Sequence, residues 1–299
     1  MTSQHTSKDL AAEVKRIVSD WDLDTKVILA ASDNASNISA AIVKELGWKH
    51  FGCFAHAINL FVKDGLREKT ATSVIYRIKT IVAHFRRSNT SHEKLMTCQR
   101  NSGETPLKLL QDVPTRWNSA FYMLERFTNL EYAIRSTIAL LDKDFPVLTA
   151  GEWRIVIRLC HVLRPFEGVT KTVSGETYCT ASLVIPLVNG MHSMCTNLMK
   201  EEFCEPVRNV VMTIQQRISS KLGNVELSNT LAVSTFLDPR FKRIAFSSKA
   251  YSDHAKKLVT SVLSKQFETS TEKRKEKAEV GSSLEGSGAT NDLSIWGGI

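Results

Sequence analysis

The sequence holds no apolar run that approaches the ~18–20 residues a membrane-spanning helix needs, and its opening residues, Met1-Thr2-Ser3-Gln4-His5-Thr6-Ser7-Lys8, lack the apolar core of a signal peptide. The expectation is a soluble, intracellular chain with no membrane partner. There is also no Cys-x-x-Cys pair. The six cysteines, at 53, 98, 160, 179, 195 and 204, are scattered, which argues against a disulfide framework and a four-thiolate zinc site and fits a reducing compartment, cytosol or nucleus. A phosphate-binding glycine loop, a serine nucleophile elbow, a kinase signature and an internal repeat are all missing, so several large enzyme classes drop out.

What is present supports a real core. The chain has 299 residues, 42% of them hydrophobic, 8% aromatic and 23% charged, and a chain of this size buries about three quarters of the surface its unfolded form exposes. One large domain or two ordinary ones would fit. Lys and Arg number 39 against 31 Asp and Glu, a net charge of +8, which favours anionic partners such as nucleic acid but also falls among ordinary soluble proteins.

The first sixty residues differ from the rest, with short apolar runs alternating with helical patterns as in a β-α-β-α unit. Leu10, Val14, Ile17 and Val18 mark an amphipathic helix, Lys26 to Ala31 reads as a buried strand, Ile38 to Leu46 as a helix that Gly47 stops, and Trp48 to Phe54 as a second strand. Beyond Leu60 the pattern is helical. Val74, Ile75, Ile78, Ile81, Val82 and Phe85 form one stripe, and further helices are expected near 119–141, 152–164, 206–222 with Pro206 first, and 251–267. Pro186 should break or kink a helix. From Thr269 the composition turns to Thr, Glu, Lys, Gly and Ser, as in a linker, closing on the small apolar patch Ser294 to Ile299. The fold class is therefore α+β and mostly helical.

Asp33 follows the first strand, where an open α/β sheet places ligands, and can serve as a hard oxygen donor for Mg²⁺ or Mn²⁺ or as a cap for the next helix. Cys53 and His56, at i and i+3, could share a face toward zinc or form a nucleophile pair; the plainer reading is a packed cysteine beside a hydrogen-bonded histidine. Arg116-Trp117 could clamp a phosphate while the indole stacks on an unpaired base, or could be a local cation–π contact at a helix start. The stacking role requires an exposed indole. Asp238-Pro239 should interrupt a helix, and Lys273-Arg274-Lys275 could touch phosphate, act as a nuclear address or be a solvated charge run.

Taken in order, several segments resemble the hAT transposases, including the zinc finger BED domain-containing proteins of animals. They are Ser32 to Asn37, Trp48 with Cys53 to Leu60, Val113 to Ser119, Glu167 to Thr170, Ser174 to Glu176, Leu183 to Pro186 and Leu237 to Lys242, together covering roughly residues 8–268. The resemblance implies a partial RNase H-like core over 1–65, an all-α insertion over 66–268, and a linker or start of a C-terminal region over 269–299.

It further implies that Asp33 matches the second Asp of an Asp-Asp-Glu triad that holds two metal ions for DNA cutting and joining. Cys53 and His56 match a Cys-x-x-His motif beside that centre, and Arg116 with Trp117 matches the position that holds a flipped base. The other triad residues, a BED finger with its zinc, and a C-terminal dimerisation region have no counterpart in the sequence, and Cys179 stands where many relatives have Pro. The expectation is a transposase-derived nuclear DNA-binding or regulatory protein without transposase activity in this form and without a cofactor of its own. The alternatives are a helical nuclear interaction scaffold, or part of an active transposase. Homo-oligomers would depend on the missing C-terminal region.

Overall fold

A computed structural model describes residues 6–174 and 181–264. The calls on Gly175, Glu176, Cys179, Lys273 to Lys275 and the 269–299 segment lie outside these residues.

Local chemistry sets the helix starts. Helix α1 (Ser7–Asp20) opens with a capping box, in which Thr6 Oγ1 accepts the Asp9 N–H at 3.2 Å and the Asp9 carboxylate accepts the Thr6 N–H at 3.3 Å. Strand β1 (Ala30–Ser32) leads into α2 (Ser36–Ala40), which continues as one π turn over Ala41–Glu45 before Gly47, at φ +68°, ends it. Strand β2 (His50–Gly52) pairs parallel with β1, Ala30 opposite His50 and Ser32 opposite Gly52.

The first strand is shorter than expected and is not buried. Residues 26–29 carry no strand pairing, and Ile28 is 72% exposed. A continuous apolar run signals burial on both faces, and among the described residues β1 has one neighbouring strand.

The remainder is helical: α3 (Phe54–Gly65), α4 (Lys69–Arg87), α5 (Asn89–Asn101), α6 (Trp117–Asn129), α7 (Glu131–Ala139), α8 (Ala150–Ser174), α9 (Val184–Leu198), α10 (Glu205–Leu222), α11 (Asn229–Leu237) and α12 over 249–264. The α4 stripe is buried as its spacing predicts, and Glu68 caps it by accepting the Ala71 N–H at 2.7 Å.

Four helix expectations change. The 119–141 run is two helices, parted at Leu130, whose φ of −106° and ψ of 19° leave the helical region. Helix α8 passes through Pro165, because Val162, Leu163 and Phe166 around it are sealed in the core and outweigh a cost of ~3 kcal/mol. Pro186 breaks nothing, since it is the third residue of α9, where an N–H has no helical acceptor. Pro206 is the second residue of α10, behind Glu205.

One continuous apolar cluster runs from Phe54 on α3 to Ala255 on α12. Arg77 of α4 pairs with Glu152 of α8 across it. Helices α3 and α10 approach closely at Gly65, where an added Cβ would lie 2.7 Å from Ile214 Cγ1.

Candidate nucleic-acid interface

The parallel pairing puts the ends of β1 and β2 side by side, so Asp33 and Cys53 leave the sheet at the same carboxyl edge, with the Cys53 N–H donating to the Ser32 carbonyl. Asp33 is exposed. Among the described residues its Oδ1 accepts only the Ala35 N–H, at 3.4 Å, and Ala35, not Asp33, is the N-cap of α2. The Asn34 side-chain amide lies over Gly52, and a Cβ there would have to push it aside. His50, which the sequence did not single out, bridges this edge: one ring nitrogen meets Ser32 Oγ at 2.8 Å and the other meets Ser39 Oγ at 3.4 Å. Its place at the amino end of a three-residue strand, opposite Ala30 and within reach of Ser32 Oγ, is visible only once the register is known.

Cys53 is the N-cap of α3 and His56 lies one turn in; both are half-buried, and the Cys53 thiol is free. His56 has no hydrogen-bond partner among the described residues. Because Phe54, Ile58, Phe61, Val62 and Gly65 fill the buried stripe of α3, the 3.6-residue period turns His56, Asn59 and Lys63 to its outer side. That side leads from the strand edge to the start of α6, a rise of ~15 Å over ten residues.

At this far end Asn59 Oδ1 accepts the Trp117 N–H at 3.0 Å, and Lys63 Nζ donates to the Pro114 and Thr115 carbonyls at 2.7 and 3.2 Å. These bonds fix the 112–116 loop against α3. Ser119 Oγ donates to Asp112 at 2.7 Å, and Lys79 of α4 pairs with Asp112 at 2.6 Å. Asn59 is the residue whose role sequence reasoning missed, although it stands in the quoted motif.

Arg116 is exposed, with no side-chain partner among the described residues. Trp117 departs from the expectation of an exposed indole. It is 2% exposed and packs beside Phe121 at 6.3 Å, and no cation lies over its ring among the described residues, so it is not a cation–π cap for Arg116 either. Its Nε1 is buried without an acceptor among the described residues.

Between α3, α4 and this loop opens a cleft of about 280 Å³, lined by Lys63, Arg67, Lys79 and Arg116 with the single carboxylate Asp112, and with Tyr76 and Trp117 as its aromatics. Within this mostly apolar lining Lys79 is paired with Asp112 and Arg67 with Asp64 at 2.7 Å, which leaves Lys63, on the loop carbonyls, and Arg116 as the cations with no carboxylate partner among the described residues, so the recess carries a modest positive excess. A second, apolar groove of about 540 Å³ lies under residues 26–29 and beside Phe51, Val184 and Leu231.

The donor set does not fit a two-metal centre. No group of three or more His, Cys, Asp or Glu among the described residues is placed to hold a metal ion, so Asp33 has no set of protein ligands with it. The other motifs hold the fold. Glu167 on α8 takes the Tyr122 hydroxyl and Lys171, and α11 ends before Asp238, as the Asp-Pro step predicts. Asp238 accepts from Ser182 Oγ at 2.7 Å and from Arg240, which hold its carboxyl far below the usual range.

A parallel strand pair whose carboxyl edge feeds a helical body with a basic cleft defines a mostly helical α+β class. Residues 51–162 match the family described as the ZBED1 RNase-like helical domain. The chain is 25% identical over 236 residues to the Homo sapiens zinc finger BED domain-containing protein 4, covering 78% of this chain and 20% of that protein. It is 28% identical over 260 residues to a Zea mays protein that takes its name from the AC transposase, covering 81% of this chain and 31% of that one. With the Homo sapiens zinc finger BED domain-containing protein 6 the identity is 30% over 221 residues, 71% of this chain and 22% of the relative. The chain belongs to the hAT-type transposase-derived family. It spans less than a third of the length of each of these three relatives. No helix of the described residues is long and apolar enough to cross a membrane.

Proposed function

We propose that this chain is a DNA-binding segment of a transposase-derived nuclear regulator and that DNA lies along the outer side of α3, against the cleft at the start of α6. The observation that carries this reading is the cleft's positive excess, with Arg116 exposed and without a side-chain partner among the described residues and with Arg67, paired with Asp64, exposed at its rim. Phosphates neutralised there release counterions. The β1-α2-β2-α3 segment, with Asp33 at the shared carboxyl edge, is the RNase H-like part of the reading. Asp33, Cys53 and His56 line the approach to the cleft and carry no strand-transfer chemistry by themselves. Mg²⁺ or Mn²⁺ would need carboxylates beyond the set that the described residues bring to Asp33, and zinc would need a BED finger.

The test is affinity for duplex DNA across a salt series, with wild type and the double variant Arg67→Ala/Arg116→Ala. Binding that weakens with salt, with a slope smaller by about 2 in the variant, supports the reading. Salt-independent binding, or an unchanged slope, would sink it. The apolar groove under residues 26–29 favours a second reading, a protein-interaction scaffold, for which the same double variant would leave partner binding intact.

A further inference from the structure

Trp117 lies sealed at 2% exposure, so the ring that a nucleobase could reach in this cleft has to be another one. Tyr76 is 71% exposed on α4, lines the same cleft, and has no ring or cation partner among the described residues. We propose that Tyr76 is the stacking platform of the cleft, taking the face of one unpaired nucleobase while Arg116 and Arg67 hold the flanking phosphates. This rests on the DNA-binding reading of the cleft and adds to it a substrate preference for DNA with unpaired nucleotides.

Three features make the site suitable. Ile75 and Ile78, the neighbours of Tyr76 along α4, are buried, and Arg77 ties the same turn to Glu152 of α8, so the helix beneath the ring is fixed while the ring faces solvent. Tyrosine has only two side-chain torsions to order, so the contact costs little conformational entropy. The surrounding charge keeps a positive excess for a phosphate chain: Asp112 and Asp64 pair with Lys79 and Arg67, while Arg116 is exposed and has no carboxylate partner among the described residues. Every base has a π-face, so such a platform selects for unpaired nucleotides and not for sequence.

The experiment measures affinity at fixed salt for two labelled probes, a blunt duplex and the same duplex with a short single-stranded 3′ extension. The proteins are wild type, Tyr76→Ala, Tyr76→Phe and Arg67→Ala/Arg116→Ala, each checked for an unchanged thermal midpoint. Tyr76→Ala should weaken binding of the extended probe about five- to 150-fold, the span of one lost base stack, and leave blunt-duplex affinity and salt slope unchanged. Tyr76→Phe should bind as wild type, and 2-aminopurine in the extension should be quenched by wild type but not by Tyr76→Ala. Equal affinity of wild type and Tyr76→Ala for the extended probe, with the arginine variant still weakened, overturns the stacking proposal and leaves the DNA-binding reading standing. An arginine variant that binds both probes as wild type does overturns the reading and the proposal with it.

Discussion

Trp117 is held by its backbone N–H on Asn59 Oδ1 and by its packing beside Phe121, in a region where Phe121 and Leu124 are also sealed. Its indole contributes apolar contact, but its Nε1 is a buried donor with no acceptor among the described residues, a cost of about 1–3 kcal/mol. Trp117→Ala should therefore lose about 3–5 kcal/mol of stability, and Trp117→Phe distinctly less, because it keeps an aromatic ring and removes the unpaired donor. Urea unfolding of both variants checks this. Equal losses would mean that the Nε1 group is satisfied in solution. The buried cysteines belong to the same scale: burial pushes the Cys160 thiol up to about 12 and the Cys195 thiol up to about 11, so both are packing groups and not nucleophiles.

Two contacts between elements carry predictions of their own. At Gly65, α3 and α10 approach so closely that a methyl group would meet Ile214 Cγ1 at 2.7 Å and the Val210 carbonyl at 3.1 Å. Gly65→Ala should cost about 1–3 kcal/mol through forced repacking, despite the higher helix propensity of alanine; a stabilised variant in a thermal melt would refute the close approach. The second contact fastens α4 to α5 and to the loop after α7. His84 accepts from Lys143 Nζ at 3.1 Å through Nδ1, meets Ser91 Oγ at 2.9 Å through Nε2, and has Phe145 edge-on at 4.9 Å. Burial, and then the Lys143 charge, lower its pKa. Above the ordinary imidazole value of ~6.5 both states are neutral and the stabilisation is complete; below it the unfolded chain takes up a proton that the folded chain resists, so stability falls with pH. Unfolding free energies from pH 7.5 to 5 should decline more steeply for wild type than for His84→Gln. Parallel profiles would remove His84 as the cause.

Across the whole molecule, the apolar cluster reaches from α3 through α12, while the strand edge with Asp33 stays open to solvent. The absence of any three-ligand cluster among the described residues leads to an expectation: with Mg²⁺ or Mn²⁺ the chain neither nicks nor joins DNA, and Asp33→Ala leaves its fold unchanged. A gel assay on supercoiled plasmid reads the first part. Metal-dependent nicking that Asp33→Ala abolishes would show that the missing ligands come from elsewhere, for example a second copy.

Local patterns were sufficient for much of this protein, because caps, stripes and stop residues act within a few positions of themselves. The buried stripe of α4, the stop at Gly47 and the end of α11 before Asp238 were all legible in the sequence, and the ordered motifs were enough to place the chain in its family. Other features were decided by what packs from a distance. Pro165 stays helical because core contacts outweigh its local penalty, and residues 26–29 remain unpaired because the described strands cover only one side of them. The sealing of Trp117 depends on Asn59 and Lys63, more than fifty residues before the α6 start, drawing the loop onto α3. Burial is a property of the neighbours a side chain meets, and those neighbours are set only when the helices assemble.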